Sequence, residues 1–429
     1  MTFIIISVFV FGYLAIAFEH KLKVNKAAPA LITGVLCWTI YILSSTNKKH
    51  VDQQLSERLA EYSGILFFLM GAMAIVEMID THHGFHIITK RITTTSKKRL
   101  LWVISLITFF LSPLLDNLTT TIVMISLLQK LMDDVEDRLY FVGMIIVAAN
   151  AGGAWSPIGD VTTTMLWLGG QITAGNIIIK LFLPSIVCLM VPLLILSARI
   201  KGKIERKEHD AQMYSEQNNT VSSRQQWLVL ISGIVILASV PVFKTLTHLP
   251  PYMGILIGLG IMWVITEVMG FSKKETDRHK LSPAYALRKI DTPSILFFLG
   301  ILLSIGVLES TGILADTAVW LNDKVGNLNV IVLSIGLLSA IVDNVPLVAA
   351  SQGMYSLQQY PPDHYFWEFI AFATGTGGSA LIIGSAAGVA AMGMAKVNFM
   401  WYLKRITWLA LTGYFAGAVT YIIQHLITG

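Results

Sequence analysis

Ten long apolar runs constrain this 429-residue chain more than any other feature of its sequence. Each run approaches or exceeds the roughly 20 residues that a helix needs to cross the ~30 Å hydrocarbon layer of a bilayer. Hydrophobic residues make up 54% of the chain and charged residues only 13%, a balance that excludes an ordinary soluble globule. We therefore predict an all-α polytopic membrane protein with crossings near 3–18, 27–45, 62–80, 139–168, 176–198, 226–243, 251–270, 294–314, 365–394 and 402–424.

Two further apolar stretches, 101–131 and 328–358, each have an Asp-Asn pair, a proline and small polar residues near the middle. We interpret both as re-entrant hairpins rather than crossings. With the N-terminus outside, this choice places 25 of the 31 Lys and Arg residues on the cytoplasmic side. Positive charge accumulates on the cytoplasmic side of membrane proteins, so the bias supports the topology. It predicts that both termini face the periplasm.

Short motifs recur between the two halves of the sequence. SGILFFL at 63–69 returns as PSILFFL at 293–299, and SPLLDN at 112–117 returns as SAIVDN at 339–344. Each half then has five crossings and one hairpin, and an odd number of crossings makes the second half enter from the opposite side. We predict two inverted repeats, 1–198 and 226–429, joined by a charged cytoplasmic linker at 199–225. In transporters, broken helices of such repeats build one site near the midplane.

The two halves also share a Gly-Gly motif in which we expect helices to break. NAGGAWSPIGD contains Gly152, Gly153 and Asp160, and GTGGSALIIGS contains Gly377, Gly378 and Ser385. Backbone leaves a helix within a membrane only where protein or a water-filled cavity surrounds it. A broken helix would therefore line a pathway, with carbonyl oxygens and helix ends available to an ion.

Three carboxylates occur beside these predicted breaks: Asp116, Asp160 and Asp343. An intramembrane carboxylate is costly, and a functional role is the first hypothesis for it, although a helix cap is an alternative for each single residue. Hard oxygen ligands suit Na⁺ or Li⁺, and a carboxylate can equally hold a proton. We predict an ion site with Na⁺ at Asp116, Asn117, Asp160, Asp343 and Asn344, and with further contributions from Thr119, Thr120, Asn150, Gly152, Gly153, Ser156, Thr376, Gly377, Gly378, Ser379 and Ser385.

The motifs LLDNLTTTIVM, NAGGAWSPIGDVTTTMLW, SAIVDNVPLVAA and GTGGSALIIGSAAGVAAMGM resemble those of the NhaD-type sodium/proton antiporters. These belong to an ion transporter superfamily that also contains arsenite and dicarboxylate carriers, and the resemblance covers nearly the whole chain. It implies a bacterial inner-membrane exchanger of Na⁺ or Li⁺ for protons, a homodimer, and a transport domain that moves against a scaffold. It implies no cofactor besides the transported ions.

A Na⁺-coupled anion symporter of the same superfamily is the alternative. Carboxylate carriers have Ser-Asn-Thr at both hairpin tips, whereas this chain has Asp116 and Asp343 at the first position, which favours a cation. The halves differ because Thr119 corresponds to Pro346 and Asp160 to Ser385, so we expect one strong site in the first half, completed by the second. An enzyme is not expected, because the HExxH, GxSxG and phosphate-loop motifs are absent from the sequence.

Overall fold

The computed structural model describes residues 1–17, 22–85, 87, 94–132, 134–203, 221–271 and 275–428. Within these residues the fold is all-α, and the isolated bridge between Ser96 and Lys203 belongs to no strand. The helices are α1 (Thr2–Ala17), α2 (Ala27–Ser44), α3 (Lys48–Thr81), α4 (Lys97–Leu115), α5 (Asn117–Leu131), α6 (Val135–Gly153), α7 (Val161–Leu168), α8 (Ala174–Arg199), α9 (Ser223–Thr247), α10 (Pro251–Gly270), α11 (Glu275–Lys280), α12 (Pro283–Lys289), α13 (Thr292–Ser310), α14 (Ile313–Val325), α15 (Leu328–Leu338), α16 (Asn344–Met354), α17 (Tyr365–Gly377), α18 (Ala386–Ala395), α19 (Phe399–Arg405) and α20 (Thr407–Thr428).

Eight helices of the described part are long and apolar enough to cross a membrane: α2, α3, α4, α8, α9, α10, α13 and α20. The shorter apolar helices include α1, α5, α15 and α18. The prediction of an all-α polytopic membrane protein is confirmed. Most of the predicted linker lies outside the described residues, since 204–220 are not among them. The division into 1–198 and 226–429 stays a prediction.

Four helix pairs are interrupted where the sequence predicts breaks. Asp116 separates α4 from α5, and 339–343 separate α15 from α16. The Gly-Gly motifs end α6 at Gly153 and α17 at Gly377, and the chain resumes as α7 and α18 after seven or eight non-helical residues. These breaks leave the N-terminal ends of α5, α7, α16 and α18 inside the protein, with several of their first residues buried.

The glycines before two of the breaks allow close backbone contact. A Cβ on Gly152 would lie 2.4 Å from the carbonyl oxygen of Phe109 on α4. A Cβ on Gly377 would lie 2.0 Å from the carbonyl oxygen of Gly336 on α15. Only a residue without a side chain fits at such distances. The two contacts occupy corresponding positions in the two halves of the sequence.

Hydroxyl groups make a second pair of corresponding contacts. Ser112 Oγ donates to the carbonyl of Ala149 at 2.6 Å, whereas Ser339 Oγ lies 2.6 Å from the carbonyl of Gly336 in the preceding turn and 3.2 Å from that of Thr374. Each serine lies close to its own Asp-Asn pair. Each pair of broken helices is therefore joined to its Gly-Gly helix by the same combination of a glycine contact and a serine hydrogen bond.

The helices pack into two groups around these breaks. In one group, α2 lies along α13 and α1, while α3 lies along α10 and α13. In the other, α8 packs on α20, α4 on α6, α15 on α17, and α5 on α18. Contacts of α16 with α13 and with α7 connect the two groups beside the interrupted helices.

Candidate functional site

Asp116 is the residue that interrupts α4 and α5, and it has a left-handed backbone with φ of 71°. Both carboxylate oxygens are used locally. Oδ1 accepts the backbone N–H of Thr119 at 2.8 Å, and Oδ2 accepts the Thr119 hydroxyl at 3.0 Å. Asp116 and Thr119 thus form the N-terminal cap of α5, which satisfies a backbone donor that the helix itself leaves without a partner.

Asp343 begins α16 in the corresponding position but has a different second partner. Its Oδ1 accepts the N–H of Val345 at 3.3 Å, while its Oδ2 forms an ion pair with Lys26 Nζ at 2.7 Å. The position that corresponds to Thr119 is Pro346, which has neither a backbone N–H nor a hydroxyl to donate. The absence of that local cap leaves one oxygen of Asp343 available to Lys26.

Asp160 lies at the centre of the polar contacts between the halves, and its residue is 2% exposed. Its Oδ1 accepts the N–H of Thr162 at 3.0 Å and so caps α7. The amide of Asn117 donates to Oδ2 at 2.7 Å. The amide of Asn344 lies 3.4 Å from Oδ1 and 3.3 Å from Oδ2. Asp160 is therefore contacted by the asparagine of each Asp-Asn pair.

Asn150 continues this network from α6. Its Oδ1 accepts the Asn117 amide at 3.0 Å, and its Nδ2 lies 2.9 Å from the hydroxyl oxygens of both Ser379 and Ser385. Ser385 corresponds to Asp160 in the second half, and its hydroxyl oxygen also accepts the N–H of Gly388 at 3.2 Å. A continuous hydrogen-bonded path thus joins Asp160 to the second Gly-Gly segment.

The other predicted site residues serve packing or helix geometry. Gly153 and Gly378 lie against the carbonyl oxygens of Gly159 and Gly384. Ser156 Oγ donates to the carbonyl of Pro113, and Thr376 Oγ1 donates back to Phe372 in its own helix. In the described part of the chain, these contacts lie within the breaks themselves or within one helix.

Two buried hydroxyls near Asn117 have no hydrogen-bond partner within the described part of the chain. Thr120 and Thr121 are 0% exposed, and their Oγ1 atoms are unpaired there. They follow Asn117 by three and four residues, so they share its face of α5. A buried hydroxyl without a partner is costly in an apolar interior, so such groups are rare in folded proteins.

Four helices begin at residues of this network: α5 and α16 start at Asn117 and Asn344, while α7 and α18 start directly after their capping residues Asp160 and Ser385. A helix N-terminus carries partial positive charge and stabilises an anion. The group found there is the carboxyl group of Asp160. Its hydrogen-bond donors in the described part of the chain include no cationic side chain.

A cavity of about 490 Å³ opens beyond the C-terminal ends of α7 and α16. Met165 and Leu168 of α7, together with Ala349 and Gln352 of α16, form one wall. The other wall includes an ion pair of 2.7 Å between Arg58 on α3 and Glu309 on α13, beside Glu61 and Tyr252. Met165 follows Asp160 by five residues, which is about 7.5 Å along a helix.

The sequence analysis does not identify two charged groups, the partly buried Lys26 and the buried Glu368, as site candidates. The signal for Lys26 in the sequence is its position directly before an apolar run. Glu368 on α17 is 3% exposed, and it accepts hydrogen bonds from Tyr421 at 2.6 Å and from Asn176. Glu368 lies nine residues before Gly377, too far along its helix to contact Asp160.

Comparison with known proteins gives a consistent picture. The profile of a family described as citrate transporter matches residues 13–367. Sodium/proton antiporter 1 of Arabidopsis thaliana is 48% identical over 96% of this chain and 71% of its own length. Sodium/proton antiporter 2 of the same plant is 45% identical over 96% and 97%. The Na(+)/H(+) antiporter NhaD of Alkalimonas amylolytica is 28% identical over 99% and 90%.

A solved structure has a similar fold. The crystal structure of the YdaH transporter of Alcanivorax borkumensis, described as having an unusual topology, aligns with a TM-score of 0.56. The alignment covers 90% of each chain, at 12% sequence identity. At this identity the likeness concerns the architecture of the helices alone.

Proposed function

We propose that this chain, which belongs to the citrate transporter family, is a sodium/proton antiporter that binds Na⁺ or Li⁺ and the proton alternately at Asp160. Its relatives with 45% and 48% identity carry sodium/proton antiporter names over 96% of the chain. NhaD-type relatives extend the same name to bacteria. The similarity suggests the reaction, and the contacts of Asp160 suggest how one carboxylate performs it.

The carboxylate of Asp160 is the observation that carries this proposal. It lies where four helix N-termini begin and accepts amide hydrogens from Asn117 and Asn344. An anionic substrate would need this position for its own charge. Because the protein already places a carboxylate there, an approaching anion would be repelled and a cation attracted.

Rotation of the asparagine amides would convert the same network into a cation site. Each amide now directs its nitrogen at Asp160, and a half-turn of the amide would direct its oxygen there instead. Asn150 and the unpaired hydroxyls of Thr120 and Thr121 would add further neutral oxygens. The resulting set of carboxylate, amide and hydroxyl oxygens suits Na⁺ or Li⁺, both hard cations.

Exclusive occupancy accounts for exchange. A protonated Asp160 has lost the charge that holds Na⁺, while Na⁺ at an ionised Asp160 opposes protonation. We assume that the site moves between the two sides of the membrane only when either Na⁺ or a proton is bound. Each Na⁺ carried outward must then be followed by protons carried inward. Asp116 and Asp343 add negative charge nearby, although most of their oxygens are used by helix caps and by Lys26.

The test is Na⁺-driven pH change in proteoliposomes that contain the purified protein and a trapped pH dye. A Na⁺ pulse should release lumenal protons from wild-type vesicles and not from Asp160→Asn vesicles. Asp134→Asn is the matched control, since Asp134 also caps a helix through its side chain but lies outside the site. An absence of proton release from the wild type would contradict the antiporter assignment.

An anion symporter remains the second candidate, because the matching family is described as citrate transporter. The same vesicles test it directly. Under this alternative, a Na⁺ gradient should drive uptake of radiolabelled citrate, and external citrate should stimulate Na⁺ entry. We expect neither effect with this chain, since Asp160 occupies the position that an anion would need.

We propose the inverted-repeat topology with both termini outside the cytoplasmic membrane of a bacterium. It is supported by the positive-charge bias and by the matching contacts of Gly152 and Gly377 with preceding helices. Single cysteines beside Lys98 and Arg278 should react with an impermeant thiol reagent only from the cytoplasmic face. A cysteine beside Lys324 should react only from the outside. Reaction of all three from one face would contradict the topology.

We propose further that the protein assembles as a homodimer in the bilayer. The support is an exposed apolar stripe on α10, formed by Ile257, Ile261, Val264 and Val268, which is wide enough to face lipid or a second copy. The mass of the protein in detergent micelles, measured by light scattering with correction for bound detergent, distinguishes the two. A monomeric mass at all concentrations would contradict the dimer.

A further inference from the structure

The ion pair between Lys26 and Asp343 connects the two packing groups of the fold. Lys26 directly precedes α2, and its ammonium lies 4.2 Å from the ring centre of Phe297 on α13. α2 and α13 lie against each other in the first packing group. Asp343 begins α16, whose next residue, Asn344, contacts Asp160. Lys26 therefore joins the α2–α13 pair to Asp343, the residue directly before Asn344.

The ion pair and the cavity lie at opposite ends of the same two helices. On α16, Asp343 is at the N-terminus and Gln352 lines the cavity, about 13 Å further along the helix. On α13, Phe297 contacts Lys26 and Glu309 lines the cavity, about 18 Å apart along the helix. Asp160 is linked to both features: Met165 of the cavity wall follows it by five residues along α7, and Asn344, the neighbour of Asp343, contacts its carboxylate.

The environment of the pair favours a contact that can open. The Lys26 and Asp343 side chains are 19% and 14% exposed, so neither charge is fully removed from water. Asp343 keeps a hydrogen bond to Val345 without Lys26, and Lys26 keeps the ring of Phe297. Opening the pair would therefore not leave an isolated charge in an apolar interior, which is the main cost of breaking a buried ion pair.

We propose that Lys26 is a positioning residue for transport. Its ion pair with Asp343 closes the end of the site opposite the cavity and stabilises the conformation in which Asp160 is reached through that cavity. Exchange then requires the pair to open once in each cycle. This inference rests on the proposed antiporter function for its role in transport, while the closure itself is a property of the conformational equilibrium and can be measured without transport.

Two single cysteines report the equilibrium in a variant that lacks Cys37 and Cys188. Leu168→Cys lies in the cavity wall and is partly exposed, whereas Val345→Cys is buried beside the pair. Both are labelled with N-ethylmaleimide on purified protein in detergent, where the reagent reaches every face. The quantity measured is the ratio of the Val345→Cys labelling rate to the Leu168→Cys labelling rate.

Lys26→Met should raise this ratio about fivefold, the effect expected for loss of a partly exposed ion pair. Lys26→Arg should keep the ratio near the wild-type value, because a guanidinium can form the same pair. Lys289→Met is the control for loss of an ion pair elsewhere in the protein. Lys289 Nζ lies 3.2 Å from a carboxylate oxygen of Glu77 on α3, and this pair does not involve α16. Asp343→Asn breaks the pair from its other side and serves if Lys26→Met does not fold.

An unchanged ratio in Lys26→Met or, if that variant is unfolded, in Asp343→Asn overturns the proposal, as does a similar rise in Lys289→Met. In proteoliposomes, Lys26→Met should change the apparent KM for Na⁺ more than the maximal rate, and Lys26→Arg should restore it. If wild-type vesicles exchange no ions, the antiporter proposal fails while the labelling ratio still decides whether Lys26 closes this end of the site.

Discussion

Replacement of Asp160 by asparagine should nearly eliminate Na⁺ binding. The substitution preserves the size of the side chain but removes the negative charge that faces the amides of Asn117 and Asn344. It also replaces one acceptor oxygen by an NH₂ group, so at least one of the three N–H donors, on Asn117, Asn344 and the Thr162 backbone, loses its acceptor. Both effects concern the same few atoms, but they differ in size.

The loss of charge dominates. A unit charge about 4 Å from a monovalent cation contributes about 4 kcal/mol at an effective dielectric constant near 20. That energy corresponds to about a thousandfold weaker affinity, at 1.4 kcal/mol for each factor of ten. A neutral hydrogen bond contributes only about 1 kcal/mol. Asn117→Ala and Asn344→Ala should therefore weaken Na⁺ binding by about tenfold or less.

Titration calorimetry of the purified variants with NaCl at alkaline pH measures this ranking, with choline chloride as the control for ionic strength. Asp160→Glu keeps the charge and should bind more tightly than Asp160→Asn even if its longer side chain fits poorly. Sodium affinity of Asp160→Asn within tenfold of the wild type would refute the assignment of Asp160 as the charged ligand. In that case, Asp116 or Asp343 would have to supply the charge.

Three further outcomes are expected. Wild-type Na⁺ affinity should weaken by about tenfold for each unit by which the pH falls, over the range in which protons compete for one carboxylate, because each bound Na⁺ then displaces one proton. Calorimetry should show an almost pH-independent residual affinity in Asp160→Asn. Thr119→Val should lower the free energy of unfolding by about 1 kcal/mol, because the carboxylate of Asp116 then loses its hydrogen bond from the Thr119 hydroxyl. Thermal melting of the detergent-purified protein measures this loss. Gly377→Ala should strongly reduce the yield of folded protein, because its Cβ would lie 2.0 Å from a backbone oxygen, whereas Gly393→Ala, with open space around it, should not.

The sequence was sufficient to predict the all-α membrane-protein class of the fold and the places where its helices break. A long apolar run forms a helix in a bilayer, because a helix satisfies its own backbone hydrogen bonds. The Gly-Gly segments end α6 and α17, and Gly152 and Gly377 lie against backbone oxygens of neighbouring helices. The Gly-Gly pattern in the sequence therefore predicts the helix break in the structure.

The roles of individual carboxylates could not be read from the sequence. Asp116, Asp160 and Asp343 are all candidate ion ligands there, and each caps the start of a helix in the structure. What separates them is the second oxygen of each carboxylate. Thr119 uses it in Asp116, Lys26 uses it in Asp343, and the Asn117 amide from another helix reaches it in Asp160. These partners depend on packing between helices that lie far apart in the sequence.

The difference between the two halves has a functional consequence. At the corresponding positions, the first half has Thr119 and Asp160, and the second has Pro346 and Ser385. Proline leaves Asp343 free for Lys26, and serine contributes a hydroxyl where the first half contributes a charge. Two equivalent ion sites would need two equivalent carboxylates. In the second half, however, Asp343 forms an ion pair with Lys26. From these two differences between the halves we expect one charged site at Asp160, completed by neutral groups of the second half.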